Sequence, residues 1–373
     1  MNIIKKCESI IFESPLWLLS LCLFLLFFIK VGFWYIPNLE LSHQVSLNPF
    51  TNPFADPNAH YLMSSWLSPF FAWILGIKTW FKFFLLHLLF CFLFVLIYLI
   101  KITKIFPREQ ARVSLICLIL LPVSGGIFYW IGPDALTVLL MLLIFCSAKH
   151  SFICFILSFF LGLQHFEQGI FASTALLLGA LINIKFSVKN IYETKFYTLF
   201  FLGLISGKVF QIILFNYLDL NLNSGRAFWL QTHYQSLISQ FIFNFQFIIW
   251  STLGLGWLLV IKYIDIVKNY WGFLISLALS LCLLPIVQDQ TRVLSIILFP
   301  LFLNYCLLNI DFIKSISRAQ CAFAFLLWLI IPWGWVFSGN VQVSVFPYSI
   351  INLFNKFFGW FSVPSYHDYW PFH

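Results

Sequence analysis

From Phe83 to Ile100 the chain carries no charged side chain, and apart from Cys91 its only polar side chains are His87 and Tyr98. Runs like this recur along most of the 373 residues. About 20 consecutive apolar residues cross the hydrocarbon of a bilayer as a helix. Only 9% of the residues are charged, against about 25% in soluble domains. No soluble core could hide so much apolar surface, so lipid is the solvent for most of it. The 48 Phe, 15 Trp and 14 Tyr suit a lipid-facing protein with aromatic belts.

The expected fold class is therefore all-α: a polytopic membrane protein forming a single transmembrane domain over residues 1–373. Windows of span length give about eleven helices. They lie near 15–36, 80–100, 113–131, 134–148, 151–163, 169–184, 196–217, 240–261, 270–287, 292–310 and 320–337. The first run, Leu16 to Ile36, is long enough to cross and no small-residue cleavage site follows it, so it reads as a retained span. With the N-terminus inside and the C-terminus outside, most of the 21 Lys and Arg fall on the inner side, among them Lys101, Lys104, Arg108, Arg112, Lys185, Lys195, Lys314 and Arg318. That division obeys the positive-inside rule and accounts for the net charge of +8 without a nucleic-acid partner. The segment from Glu109 to Arg112 then reads as a plain connector.

The outer segments differ from the inner ones. The first, 37–79, is much longer than a connection needs to be. Its half from His60 to Lys78 is apolar and aromatic but interrupted by Ser64, Ser65, Pro69 and Gly76, which predicts amphipathic helices lying along the interface. A twelfth span at 61–77 would invert everything after it. The tail 338–373 carries Trp360, Tyr366, Trp370 and Phe372, which suit an interfacial anchor. The nine Cys are scattered with no CxxC, so they read as small buried hydrophobes and not as a disulfide or zinc framework. No phosphate-cradling GxxxxGK[ST] is present.

Six polar features fall at the outer ends of spans: Asp56 with His60, Asp134, His165 with Glu167, Arg226 with His233, Asp289 with Arg292, and Lys208. Each has an ordinary reading. Asp56 precedes Pro57 and Asp134 follows Pro133, which are helix-start signals. Asp289 and Arg292 can pair across one turn. Charges in turns are solvated, and a lysine such as Lys208, about 13 Å inside its span, can snorkel outward. The functional reading makes Asp56 a general base, Arg292 a bidentate phosphate holder and Lys208 an anion-binding group lining a cavity. A transporter would place polar groups near the midplane and show inverted repeats. Here the middles of the spans are nearly bare.

These residues resemble the GT-C type integral-membrane glycosyltransferases. The likeness rests on about eleven spans with the N-terminus inside, an acid (Asp56) just after span 1 in a long first outer loop with amphipathic helices, and a second acid (Asp134) in the second outer loop, within IGPDALTVLLMLL. The resemblance implies transfer of a sugar from a polyprenyl-phosphate donor to a glycan or lipid-linked acceptor on the non-cytoplasmic face, in the bilayer and without nucleic acid. Asp56 and Asp134 would be the catalytic acids. His60, His165, Glu167, Lys208, Arg226, His233, Asp289 and Arg292 would bind substrate, with basic residues such as Arg292 and Lys208 on the donor phosphate. No metal ligand set is assigned, and a divalent ion such as Mg or Mn stays open as a cofactor. Many members carry adjacent acids in the first loop, whereas Asp56 lies between Ala55 and Pro57. The Phe-, Ile-, Lys- and Asn-leaning composition points to an AT-rich bacterial genome, and the expected location is a bacterial inner membrane. The alternatives are an O-antigen-type polysaccharide polymerase or ligase, and a non-enzymatic lipid or solute transporter.

Overall fold

A computed structural model describes residues 3–32, 35–36, 38–188, 190–220, 225–267, 270–337 and 340–344. The expected tail, with Trp360, Tyr366, Trp370 and Phe372, lies outside the described residues apart from its first few.

The described residues are helical almost throughout. α1 (Ile3–Glu13) and α2 (Leu16–Val31) lead into the first loop, which holds α3 (Leu39–Leu47), a 3-10 segment (Pro57–Ser64) and α4 (Leu67–Ile74). Then come α5 (Trp80–Ile105), α6 (Arg108–Leu120), α7 (Pro122–Tyr129), α8 (Pro133–Cys146), α9 (Ser151–Lys185) and α10 (Thr194–Tyr217). α11 (Gly225–Leu253), α12 (Trp257–Ile266), α13 (Trp271–Leu281), α14 (Gln290–Phe302), α15 (Ile310–Ser315) and α16 (Arg318–Ile330) complete the helices.

Among the described residues, five helical stretches are long and apolar enough to cross a membrane, or six if α6 and α7, bent by 63° at Leu121, count as one. Four shorter apolar helices accompany them: α2, α8, α13 with its 3-10 extension, and α16. The outward faces are as apolar as the inward ones. On α5, Phe81, Leu85, Leu89, Phe92 and Leu96 are exposed while Phe83, Phe90, Phe94 and Tyr98 are buried. Helical periodicity thus separates two apolar faces, one for protein and one for lipid. α8 and α14 are buried nearly all round and form the centre of the bundle.

α9 folds back on itself. His165 is extended (φ −157°, ψ 77°). A straight helix holds residues eight apart at about 12 Å. Here Leu161 Cγ lies 3.4 Å from where a Gly169 Cβ would stand, and Gly162 and Gly169 both flank Leu204. The turn expected at 163–169 is this reversal.

As expected, the 61–77 stretch is not a twelfth span: α4 has eight residues, about 12 Å of helix. Three other expectations need correction. The last apolar run, expected to span to 337, stops at Ile330, because Pro332 cannot continue the helix. Beyond it Gly334–Phe337 (β1) pairs antiparallel with Asn340–Val343 (β2), a hairpin that the all-α expectation lacked. The hairpin docks on α14 through the Val336 N–H, which donates to Thr291 Oγ1 at 2.9 Å. Finally, Arg112 is no connector residue. It is 1% exposed on α6 and donates to the carbonyls of Phe12 and Ser14 at the end of α1, where a helix leaves carbonyls unpaired. The connector's remaining ion pair is Arg318 with Glu109, two bonds of 2.9 Å.

Candidate functional site

α8 and α14, the two central helices, begin at the same end of the bundle. Pro133 fits the first position of α8, where no N–H is needed, and Asp134 follows in the first turn, facing the positive end of the helix dipole. Asp289 occupies the N-cap position of α14 yet its side chain makes no capping bond. It turns to Arg292 instead.

Arg292 joins the two acids. Its Nη1 donates to Asp134 Oδ2 at 2.6 Å and its Nε to Asp289 Oδ2 at 2.5 Å. The side chains of Arg292, Asp134 and Asp289 are 20%, 7% and 13% exposed. Two carboxylates against one guanidinium leave the buried group one charge negative. Burial pushes the Asp289 carboxyl above its ordinary value, and the neighbouring Arg292 charge opposes that push. Asp289 Oδ1 is buried with no hydrogen-bond partner among the described residues. Asp134 and Arg292 line a small cleft with Val123, Gly126, Ile127, Ser295 and Ile296.

A chain of buried hydrogen bonds fixes the start of α8. Gln164 Nε2 donates to the Pro133 carbonyl at 2.8 Å, and Gln164 Oε1 accepts from the Ser68 N–H at 2.9 Å. Ser68 Oγ meets His87 Nε2 at 2.6 Å, and His87 Nδ1 meets the Phe83 carbonyl at 2.8 Å. A carbonyl only accepts, so Nδ1 carries the ring proton and Nε2 accepts from the serine hydroxyl. Gln164, Ser68 and His87 are each 0% exposed, and His87 is within electrostatic reach of Asp134. Four helices, α4, α5, α8 and α9, are tied together here. Gln164→Leu would leave the buried Ser68 N–H unpaired, at about 1–3 kcal/mol, while the Pro133 carbonyl would keep Thr137 Oγ1 at 3.4 Å. We expect a lower thermal unfolding midpoint for that variant in detergent, and an unchanged midpoint would refute the network's structural weight.

The other sequence candidates are placed as follows. His165 and Glu167 face each other at the reversal of α9, 3.7 Å apart. Lys208 donates to Gln211 Oε1 at 3.0 Å and lies over the Phe166 ring, 5.8 Å from its centroid. Gln211 in turn donates to the Ser64 and Met63 carbonyls at 3.2 and 3.4 Å, so α10 holds the first loop. Asp56 is exposed, its carbonyl accepting from the Ala59 N–H as the 3-10 segment starts. His60 Nε2 contacts the Phe54 carbonyl at 3.2 Å. His233 is exposed on α11. The backbone of Arg226 belongs to α11, and its side chain lies outside the described residues.

The structure thus joins Asp134, Asp289 and Arg292, pairs His165 with Glu167, and leaves Asp56 off the residues lining the Asp134 cleft. Tyr61 in the 3-10 segment is close enough to act on Arg292, and its hydroxyl accepts from Asn38 Nδ2 at 2.5 Å. Sequence reasoning that weighed charges passed over Gln164, Ser68, Tyr61 and His87. His87 carried a signal, as the one ring nitrogen pair in an otherwise apolar run.

No group of three or more His, Cys, Asp or Glu among the described residues is arranged to hold a metal. Between Asp134 and Asp289 the guanidinium occupies the place a divalent cation would take, so this pair does not fit one. Neither a family model, nor a curated protein, nor a solved structure matches this chain.

Proposed function

We propose that this chain is a membrane glycosyltransferase that moves a sugar from a polyprenyl-phosphate donor to a lipid-linked or cell-envelope acceptor. It would work on the non-cytoplasmic face of a bacterial inner membrane, with the N-terminus inside and the C-terminus outside. With α6 and α7 as one bent crossing and α9 as two arms, the apolar helical segments support about eleven crossings.

The observation that carries the reading is the Arg292 cluster. A guanidinium sits between two carboxylates where the central helices begin, next to the first loop. Sugar transfer from a lipid phosphate needs a cation for the leaving phosphate and a base for the attacking hydroxyl. Arg292 would meet the phosphate, and Asp134 would hold its guanidinium in place. Asp56, exposed on the loop, would take the acceptor proton. His60, His165, Glu167, Lys208, Arg226 and His233 would flank the substrates.

A second carboxylate competes for the role of base. Asp289 Oδ1 is buried without a partner, and a carboxyl pushed up by burial is a better proton acceptor at neutral pH. Transfer from labelled polyprenyl-phosphate sugars in isolated membranes separates these roles. Asp134→Asn should lower transfer by about 100-fold or more at unchanged protein level. Loss of transfer in Asp56→Asn assigns the base to Asp56, and loss in Asp289→Asn with Asp56→Asn active assigns it to Asp289. If the unaltered protein transfers none of these sugars, the reading is wrong.

A further inference from the structure

A groove of about 350 Å³ runs between α6, α12 and α16. It lies at the other end of the bundle from Arg292. Arg318 at the start of α16 pairs with Glu109 in the first turn of α6, and the chain runs on through α6 and α7 before it reaches Asp134. The volume falls within the range of ligand sites, and a dry apolar cavity of about 150 Å³ already takes up benzene.

The floor of the groove is buried and its rim is apolar. Ile116, Cys117 and Leu120 of α6 form the floor. Ile261 and Phe323 stand on the walls, 63% and 51% exposed. Exposed apolar side chains on a membrane-spanning bundle face lipid, so the groove opens sideways into hydrocarbon. A soluble ligand would have to cross that rim, whereas a lipid chain already lies against it.

Polar groups gather at one end. Lys262 and Asp265, in the last turns of α12, are the charged residues lining the groove among the described residues. Their side chains pair at 3.7 Å and are 22% and 70% exposed. So long and so wet a pair holds little energy, and ligand groups can come between the partners. Gln320 lines the same end, in the first turn of α16. Its Oε1 accepts from the Ser317 N–H at 3.1 Å, which leaves its amide NH2 as a donor. The start of α16 adds the positive end of the helix dipole. The rest of the lining is aliphatic and aromatic side chains and two cysteines.

We infer that this groove holds one acyl chain of a phospholipid whose headgroup carries a primary amine, a zwitterion of the phosphatidylethanolamine type. Its phosphate meets Lys262 and the Gln320 amide, and its ammonium donates to Asp265. One cation beside one anion matches a zwitterion, whereas an anionic headgroup would be repelled by Asp265. A choline headgroup has no N–H to give the carboxylate, so it forgoes a charge-assisted hydrogen bond. The inference stands apart from the proposed sugar transfer, because it uses none of the Arg292 cluster.

Thermal unfolding of the full chain in non-ionic detergent tests it, with phosphatidylethanolamine, phosphatidylcholine or phosphatidylglycerol of identical acyl chains added. Phosphatidylethanolamine should raise the midpoint, and the other two should need about tenfold more lipid for the same rise. Asp265→Asn alters an exposed side chain, so it should leave the lipid-free midpoint unchanged and erase the difference between the ethanolamine and choline lipids. Ala324→Phe, which puts a ring into the groove, should shrink the rise with every lipid. The inference is overturned if the ethanolamine lipid gives no rise, if either other lipid matches it, or if its advantage survives Asp265→Asn. A lipid-free midpoint that climbs with protein concentration, and no longer does so in Ala324→Phe, assigns the groove to a second copy of the chain and also overturns it. The Asp265→Asn comparison stands even where Ala324→Phe fails to fold.

Discussion

Arg292→Met should cost this protein about 3–5 kcal/mol, the loss typical when one partner of a buried ion pair is removed. The reason is what remains. Asp134 and Asp289 both take hydrogen bonds from the one guanidinium, so its removal leaves two buried carboxylates facing each other. Each would have to protonate or move to water, and both begin the central helices α8 and α14. The expected result is a strongly lowered unfolding midpoint and little folded protein in membranes. Arg292→Lys keeps the charge but offers no planar fork for two acids at once, so it should recover only part of the stability. The combination Asp134→Asn, Asp289→Asn, Arg292→Gln separates structure from chemistry. It removes every charge in the cluster, so it should regain most of the midpoint and none of the activity. A midpoint for Arg292→Met within the error of the unaltered protein would show that the acids do not depend on this cation.

How much of this could be read beforehand differs residue by residue. Asp289 and Arg292 are three apart, and their pairing follows from helix geometry. The bond from Arg292 to Asp134 joins positions 158 apart, and nothing local in either turn points to the other. Both were visible as charges at the ends of apolar runs, which places them at one level without making them neighbours. Asp56 drew attention as a lone acid in an apolar stretch, yet isolation in sequence carries no direction, and its side chain ended exposed. Apolar length gave the helices and the reversal at His165. It misjudged the run after α16, because β-strand and span are equally apolar and only Pro332 marks the difference. Arg112 was misread as a connector charge because the sequence does not show which carbonyl ends come to meet it.

Gly207→Leu should be as damaging as the loss of Arg292, for a steric reason. The first arm of α9 and α10 run parallel: Gly203 meets Phe155 and Ser158, and one turn on Gly207 meets Phe159 and Gly162. Both helices carry small residues four apart, Ser158 and Gly162 on one and Gly203 and Gly207 on the other, the spacing that lets backbones touch in a membrane. A side chain at Gly207 would strike the Phe159 carbonyl, and one at Gly162 the Leu204 carbonyl. Backbone cannot rotate aside as a side chain can, so the helices must separate, and the cost exceeds the about 1–3 kcal/mol of ordinary overpacking. Even Gly207→Ala should destabilise, since the clash is at Cβ. Gly126→Ala is the control, because its added carbon would stand 3.7 Å from the Trp130 ring, an ordinary contact. The effect should also travel. Gln211, one turn beyond Gly207, holds the carbonyls of Met63 and Ser64, so an α10 pushed outward releases the first loop. Limited proteolysis of Gly207→Ala should therefore cut near residues 48–66 sooner than in the unaltered protein. Unchanged cleavage there, together with an unchanged midpoint, would mean that α9 and α10 do not pack backbone to backbone.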